Sequence, residues 1–566
     1  MTVFDIRDIP FSHRGSWFGI SPVIAENTYA DDLHLVSHQT GMHPILRFAA
    51  SAAPDLTVVA TPAKLAWRSP AGAIELVYQT PDTIRLRSDG GLGMRIAAAA
   101  TTLTPFSGTY LYRDPASGAL VFTSYETGRR YRLTVLHGSP LAVEGVEMLG
   151  AGDRFAEFPA GVPWEIAIEE YETARPPFGR PEHAFNDVVT AAQAAFDAFA
   201  DAIAPWRTAA TPAAGLAAYV LWSATVAAGG FVTRPAVLMS KHWMDKVWSW
   251  DHCFNAIALA AGEPGLALDQ FLLPFDHQDP AGALPDSITH SEVLYNFVKP
   301  PIHGWAFGLL RRRLGEPLDP ARLIEAYDLM SRWARFWLDH RRPPGDPLPY
   351  YQHGNDSGWD NATTFDPGRV LQTADLAALL TLHLRELSAL ETELGLDHSW
   401  DEVAAEVEKD LLDRLWDGER FVARRPGDGA TFPSGSLLAL MPIALGEALP
   451  AEVRDRLVAG LRRHLTGNGL ATEPVDSPDY AADGYWRGPI WAPSTVLVED
   501  GLRRAGETAL ADEVSERFRA LCERSGFAEN FDAVTGRGLR DRAYTWTAAC
   551  YLILAEAYEG RRRAAG

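Results

Sequence analysis

The densest chemistry in the chain lies between His353 and Gly368, which reads HGNDSGWDNATTFDPG and gathers acids, amides, an indole and helix-breaking glycines into one stretch. A hexose offers rim hydroxyls, which carboxylates and carboxamides grip in pairs, and an apolar ring face, which an indole covers. Breaking its glycosidic bond also needs a carboxyl group that can release a proton near neutral pH. Composition on its own favours a polar surface loop. Four further segments concentrate aromatic and charged residues: KHWMDKVWSWDHCFN from Lys241, PFDHQDPAGALPDS from Pro274, FVKPPIHGWAFG from Phe297 and YAADGYWRGPIWAPS from Tyr480.

The elements that must position these segments follow from the patterning around them. From about residue 55 to 175 the text alternates and is rich in β-branched residues, as in AIELVYQT, TIRLRS, YRLTVLHG and WEIAIEEYET, with turn signals such as PASG and ETGR between runs. That pattern predicts antiparallel hairpins, and their number predicts a sandwich. Prolines interrupt it in ARPPFGRPEH, and amphipathic helical text begins at AFNDVVTAAQAAFDAFADAIA. The reading is a multidomain α and β chain, with an N-terminal β-sandwich over 1–180 and a helical domain over 181–566. About a dozen helical stretches follow, including GSLLALMPIALGEAL, and many end on glycine or proline. They suit six helical hairpins curled into an α/α toroid or a helical solenoid, and no fixed-period repeat favours the solenoid. In a toroid alternate loops meet on one face, so the aromatic segments would line one cavity.

Length and charge narrow the partners. A chain of 566 residues exceeds what one core usually supports. The formal charge of −22 argues against nucleic acid or an anionic membrane as partner. Cys253, Cys522 and Cys550 are too few and too far apart for a disulfide framework and read as core residues of a reducing compartment. The first residues carry no signal-peptide pattern, and nowhere do roughly 18 uncharged apolar residues run together, so a cytoplasmic protein is expected. His242, Asp251, His252 and Cys253 lack zinc-ligand spacing, and no P-loop, nucleophile elbow or dinucleotide fingerprint occurs, so neither metal nor cofactor is expected.

The segment DSGWDNATTFD resembles the signature of glycoside hydrolase family 63 and of the related family 37 trehalases, whose catalytic domain is an (α/α)6 toroid. VWSWDHCFN resembles their sugar-gripping Trp-Asp motif, GYWRGPIWAPS their C-terminal Trp-Arg-Gly-Pro motif, and FAENFDAVTGRG with YTWTAA the stretch that carries their second carboxylate. The likeness covers about residues 235–555 in the family's order. It implies Asp360 as general acid, Glu529 as general base and net inversion, with a small carbohydrate as substrate. The chemistry then needs Asp360 protonated and Glu529 ionised, in opposed environments. Asp251, Trp248 and Trp250 would hold the cleaved sugar, with Trp359 beside the acid; Arg487 would fork onto hydroxyls between Trp486 and Trp491. Each tryptophan reads equally well as core, and Arg487 as the brace of a neighbouring acid. Asp356 stands where the family has a longer glutamate, and Ala362, Thr363 and Thr364 replace its usual serine and arginine.

The expectation is an inverting exo-acting α-glycosidase, in first place an α-glucosidase of a small glucoside. The alternatives are a hydrolase of an anionic glycoside such as glucosylglycerate or mannosylglycerate, a sugar epimerase working through His303 and His353, and a non-catalytic carbohydrate-binding protein. Three of the five lysines, Lys241, Lys246 and Lys299, fall in the aromatic segments, which raises the prospect of an ammonium for an anionic substrate.

Overall fold

The structure, a computed structural model, describes residues 2–179, 181–397 and 399–565. Two antiparallel sheets form the N-terminal part. One orders its strands Phe18–Ala25, Thr28–Ser37, His43–Ala50, Met94–Ala98, Phe155–Phe158 and Ala142–Glu144; the other runs Thr57–Ala60, Leu65–Ser69, Gly72–Thr80, Thr83–Ser88, Trp164–Tyr171, Arg130–His137, Leu120–Ser124 and Thr109–Arg113. Period-two alternation drives their pairing: in TIRLRS, Ile84 and Leu86 enter the core, while Arg85 pairs with Glu165 and Arg87 with Glu75. The arginines are not left to water, because the helix Phe185–Ile203 lies over this face with Phe185 beneath both guanidinium groups.

That helix was expected to open the toroid; it caps the sandwich instead, and the toroid begins with Ala214–Ala224. From there outer and inner segments alternate. The inner ones are Asp251–Leu259, His303–Arg313, Ala374–Leu394, Leu437–Ala448, Ala492–Arg504 and Thr545–Ala565, each packed on the next and the last on the first. This closes an (α/α)6 toroid. The fourth inner member is a 3₁₀ segment rather than the expected α-helix. Pro442 inside it has no amide hydrogen to donate, and Gly446 breaks the run at φ 59°.

The two parts share packing. Phe4 stacks on Tyr219 at 4.4 Å, the Ser12 amide donates to the Tyr219 hydroxyl at 3.2 Å, and Gly15 pairs with Val226. Cys253, Cys522 and Cys550 are buried and unbridged. No helix among the described residues is long and apolar enough to cross a membrane.

Candidate active site

Five segments rich in acids and aromatics enter an inner helix from the same end, whereas the Pro274 segment starts in the last turn of the outer helix Pro264–Asp276. Trp248–Trp250 leads into Asp251–Leu259, the Phe297 segment into His303–Arg313, the His353 segment into Ala374–Leu394, the Tyr480 segment into Ala492–Arg504, and the Glu529 segment into Thr545–Ala565. The amino ends of the inner ring therefore face one mouth, and their unpaired amides supply partial positive charge beside a cluster of acids.

On the acid side, Gly354–Ser357 forms a 3₁₀ turn capped by His353, whose Nδ1 accepts from the Asn355 amide at 3.1 Å. The turn reverses at Gly358, φ 73°, where a Cβ would lie 2.4 Å from the Trp250 ring. Glycine is required there both for the backbone and for the indole. Asp360 follows at once, and its neighbour Asn361 donates to the Gly484 carbonyl and accepts from the Trp486 amide, each at 3.0 Å. The loop that carries the acid is thus sewn to the loop across the mouth.

Burial raises the Asp360 carboxyl above its ordinary range; the Lys299 ammonium opposes this, the Asp286 carboxylate adds to it, and His353 opposes it. Lys299 itself pairs with Asp286 at 3.0 Å and donates to the Asn355 carbonyl at 2.8 Å. Asp251 opens its helix and is pushed up to about 7 by burial, against the pull of Lys299. Its Oδ2 is buried without a protein partner, which suits an acceptor awaiting a sugar hydroxyl.

On the opposite side a two-strand ribbon pairs Asn530–Phe531 with Gly538–Leu539, and Glu529 stands at its open end with its amide donating to the Asp541 carbonyl at 2.7 Å. The Glu529 carboxyl is pushed up to about 8, by burial first and by the Asp541 carboxylate second; Arg540 and Tyr485 hold it down. The two carboxyls therefore do not sit in the opposed environments expected of them: burial raises both.

The structure brings Trp248, Trp250, Asp251, Trp359, Asp360, Trp486, Trp491 and Glu529 to this mouth and reassigns several neighbours. Asp356, 1% exposed, turns inward: Oδ2 accepts from Arg341 Nη1 at 2.8 Å and the Gln352 amide at 2.7 Å, and Oδ1 from the Val298 amide at 3.1 Å. Its oxygens are filled by protein donors, so it organises the loop rather than gripping sugar. Arg487 pairs with Asp366 and donates Nε to the Asn361 carbonyl at 2.7 Å, which makes it the brace of the acid's loop. Trp486 and Trp491 stack on each other at 4.0 Å, Trp359 packs on Trp486 at 4.5 Å, and Trp250 meets Trp546 at 5.0 Å. At 1–2% exposure, Trp250, Trp359, Trp486 and Trp491 form a packed floor, while Trp248 stays half-exposed.

The lysine expectation divides. Lys241 is buried and donates to Ser12 Oγ at 2.9 Å and the Ser16 carbonyl at 2.6 Å, and Lys246 lies 3.5 Å from Glu292 at the surface; Lys299 alone of the three sits beside the acid, already paired. The histidines of the epimerase alternative are also engaged. His303 is buried in its helix with Nε2 against the Ser249 carbonyl and its pKa lowered to about 3 by burial, and His353 stacks on Phe297. Sequence reasoning missed Tyr485, Arg540 and Asp541 around Glu529. Their only signal was the charge run LRDR just before an inner helix and the aromatic next to Trp486.

The segment that builds this mouth has known relatives. The sequence model of the mannosylglycerate hydrolase MGH1-like glycoside hydrolase domain matches residues 244–547, which hold Asp251, Asp360 and Glu529. Mannosylglycerate hydrolase of Rubrobacter radiotolerans is 26% identical over 417 residues, 57% of this chain and 92% of that protein. Among solved structures, the family 63 mannosylglycerate hydrolase of Thermus thermophilus in complex with Tris and D-glycerate superposes with a TM-score of 0.52 at 22% identity, over 60% of this chain and 98% of that one. A bacterial glucoamylase complexed with acarbose reaches a TM-score of 0.63 at 11% identity and covers 98% of this chain and 95% of its own, so the sandwich and toroid together are a known arrangement. The match of the family's sequence model across more than half of the chain identifies it as a glycoside hydrolase, a member of the mannosylglycerate hydrolase MGH1-like family.

Proposed function

We propose that this chain hydrolyses an α-linked glycosyl-glycerate with net inversion, using Asp360 as general acid and Glu529 as general base. The observation that carries the substrate class is the match of the mannosylglycerate hydrolase family across the whole acid-to-base segment, 244–547. It favours a glyceryl glycoside over the neutral α-glucoside that the sequence suggested first. Asp360, whose carboxyl burial raises above its ordinary range, gives its proton to the glyceryl oxygen as the bond breaks. Glu529, from the other side of the mouth, takes a proton from water, which attacks the face opposite the leaving group. Asp251, with one oxygen free, orients a hydroxyl of the sugar. A cytoplasmic site of action is supported by the three unbridged cysteines.

A thin-layer screen of mannosylglycerate, glucosylglycerate, trehalose and maltose tests the reading. The glyceryl glycosides should be cleaved fastest, and Asp360→Asn and Glu529→Gln should each lose about 10²- to 10⁴-fold while remaining folded by circular dichroism. Faster turnover of maltose or trehalose would overturn the substrate class. A variant that kept more than about a tenth of the activity, a loss of only ~1.4 kcal/mol, would overturn that residue's role.

A further inference from the structure

We propose that the seam between sandwich and toroid holds a second carbohydrate site, a cavity of about 480 Å³ that takes an uncharged hexose or small disaccharide against Trp17, Gln39 and Glu170. Its volume lies within the range of small-molecule sites. Of the residues that line it, His290 alone falls within 244–547, and none of those gathered at the mouth takes part. The site is therefore separate from that of hydrolysis, and it does not rest on the roles given to Asp360 and Glu529.

Both halves of the chain build the cavity. The sandwich supplies Trp17, Gln39 just after the strand Thr28–Ser37, Arg129 just before Arg130–His137, and Glu170 near the end of Trp164–Tyr171. The toroid supplies the loop 227–230 and His290, at the tip of the hairpin that joins Ser287–Ile288 to Val293–Leu294. Glycine keeps this second wall low. A Cβ on Gly229 would lie 3.3 Å from the His290 ring and 3.4 Å from Trp17 Nε1, and one on Gly230, φ 57°, would lie 1.9 Å from the His290 carbonyl oxygen.

Trp17, Gln39 and Glu170 are each more than nine-tenths buried, yet each keeps hydrogen-bonding capacity. Glu170 Oε1 accepts from the Tyr131 hydroxyl at 2.8 Å, and Gln39 Oε1 accepts from Arg129 Nε at 2.6 Å. Among the described residues nothing donates to Glu170 Oε2, and nothing accepts from Gln39 Nε2 or Trp17 Nε1. Buried polar groups are otherwise paired, so three such atoms around one cavity call for a ligand that both donates and accepts. A ring of hydroxyls does both, and the indole adds apolar surface for a sugar face.

Charge decides the class of sugar. Arg129 pairs with Glu172 and Arg175 with Asp82, each at 2.8 Å, which leaves Glu170 as the carboxylate without a cation of its own. The cavity has no spare positive charge for an anion and so selects an uncharged ligand.

The test uses the full-length enzyme labelled with 5-fluorotryptophan. The fluorine signals of Trp17 and Trp248, assigned by Trp17→Phe and Trp248→Phe, report the seam and the mouth separately. D-glucose is expected to move the Trp17 signal saturably, and potassium glycerate to leave it in place. Glu170→Gln exchanges the unpaired oxygen for a donor, and Ala227→Trp fills the cavity from an exposed position on its rim. Each should weaken the response of Trp17 to glucose about tenfold or more, as expected when a hydrogen bond to a charged group is lost. A Trp17 signal that stays fixed up to about 0.1 M glucose, a concentration that fills even a millimolar site, would overturn the site, whether or not Trp248 responds. So would an undiminished response in the folded Glu170→Gln and Ala227→Trp enzymes. Glycerate moving Trp17 as readily as glucose would overturn the selection of an uncharged ligand.

Discussion

Asp251 and Glu529 are carboxyls that the fold holds toward their neutral forms, at about 7 and about 8, chiefly through burial. The unfolded chain ionises both at about pH 4, so from there up to the folded values the native state binds more protons than the unfolded one. Their contribution to stability is then full in acid and is lost as pH rises through the folded values. Glu529→Gln cannot ionise and escapes this loss. We expect it to match the wild type at about pH 4 in urea unfolding and to exceed it by more than about 1 kcal/mol at about pH 8, since each tenfold difference in proton affinity between the folded and unfolded states is worth about 1.4 kcal/mol. Equal stability at both pH values would show that Glu529 is not displaced. Asp360 and Glu529 stand out in the sequence because each lies in a distinctive motif. The inward turn of Asp356 toward Arg341 has no sign in the letters, because it depends on one turn of 3₁₀ helix. Tyr485 and Arg540 were marked only faintly, because they meet through a contact between distant loops, guanidinium to ring at 4.9 Å.

Inner helices that all present their amino ends to one mouth give the site its polarity, and the loops that feed them give it its shape. Gly358 joins the two. With its φ of 73° and the Trp250 ring 2.4 Å from any added Cβ, Gly358→Ala must move either the acid's loop or the tryptophan floor. The expected outcome is a lower melting temperature, equivalent to at least about 1 kcal/mol, together with loss of most activity. Unchanged melting and activity would mean that the floor is not rigid. Helical periodicity made the toroid's elements readable, and the polar, aromatic loops marked its functional face. It failed at Leu437–Ala448, where apolar spacing suggested an α-helix but Pro442 and Gly446 impose a 3₁₀ segment. It also misplaced Phe185–Ile203, whose amphipathic face suits a sheet as well as a helix ring.

Across the whole molecule, the change from alternating to helical text marks a boundary near residue 180, and we propose that 1–180 and 181–566 are two units in topology but one in folding. The stacking of Phe4 on Tyr219, the hydrogen bond from the Ser12 amide to the Tyr219 hydroxyl and the burial of Lys241 against Ser12 and Ser16 join residues about two hundred apart. No local pattern encodes such contacts. A truncated chain that begins at residue 181 would expose Tyr219 and Trp222, apolar surface that Phe4 and His13 now cover. It is expected to aggregate on expression, whereas the full chain remains soluble; a soluble, cooperatively melting 181–566 fragment would refute the interlock.

The central claim, inverting hydrolysis of a glyceryl glycoside between Asp360 and Glu529, is tested most directly by proton NMR of the first minutes of a digest of α-glucosylglycerate or α-mannosylglycerate. The account predicts free glycerate together with the β-anomer of the sugar, which then mutarotates toward equilibrium. Initial release of the α-anomer, or no release of glycerate from either compound, would contradict it.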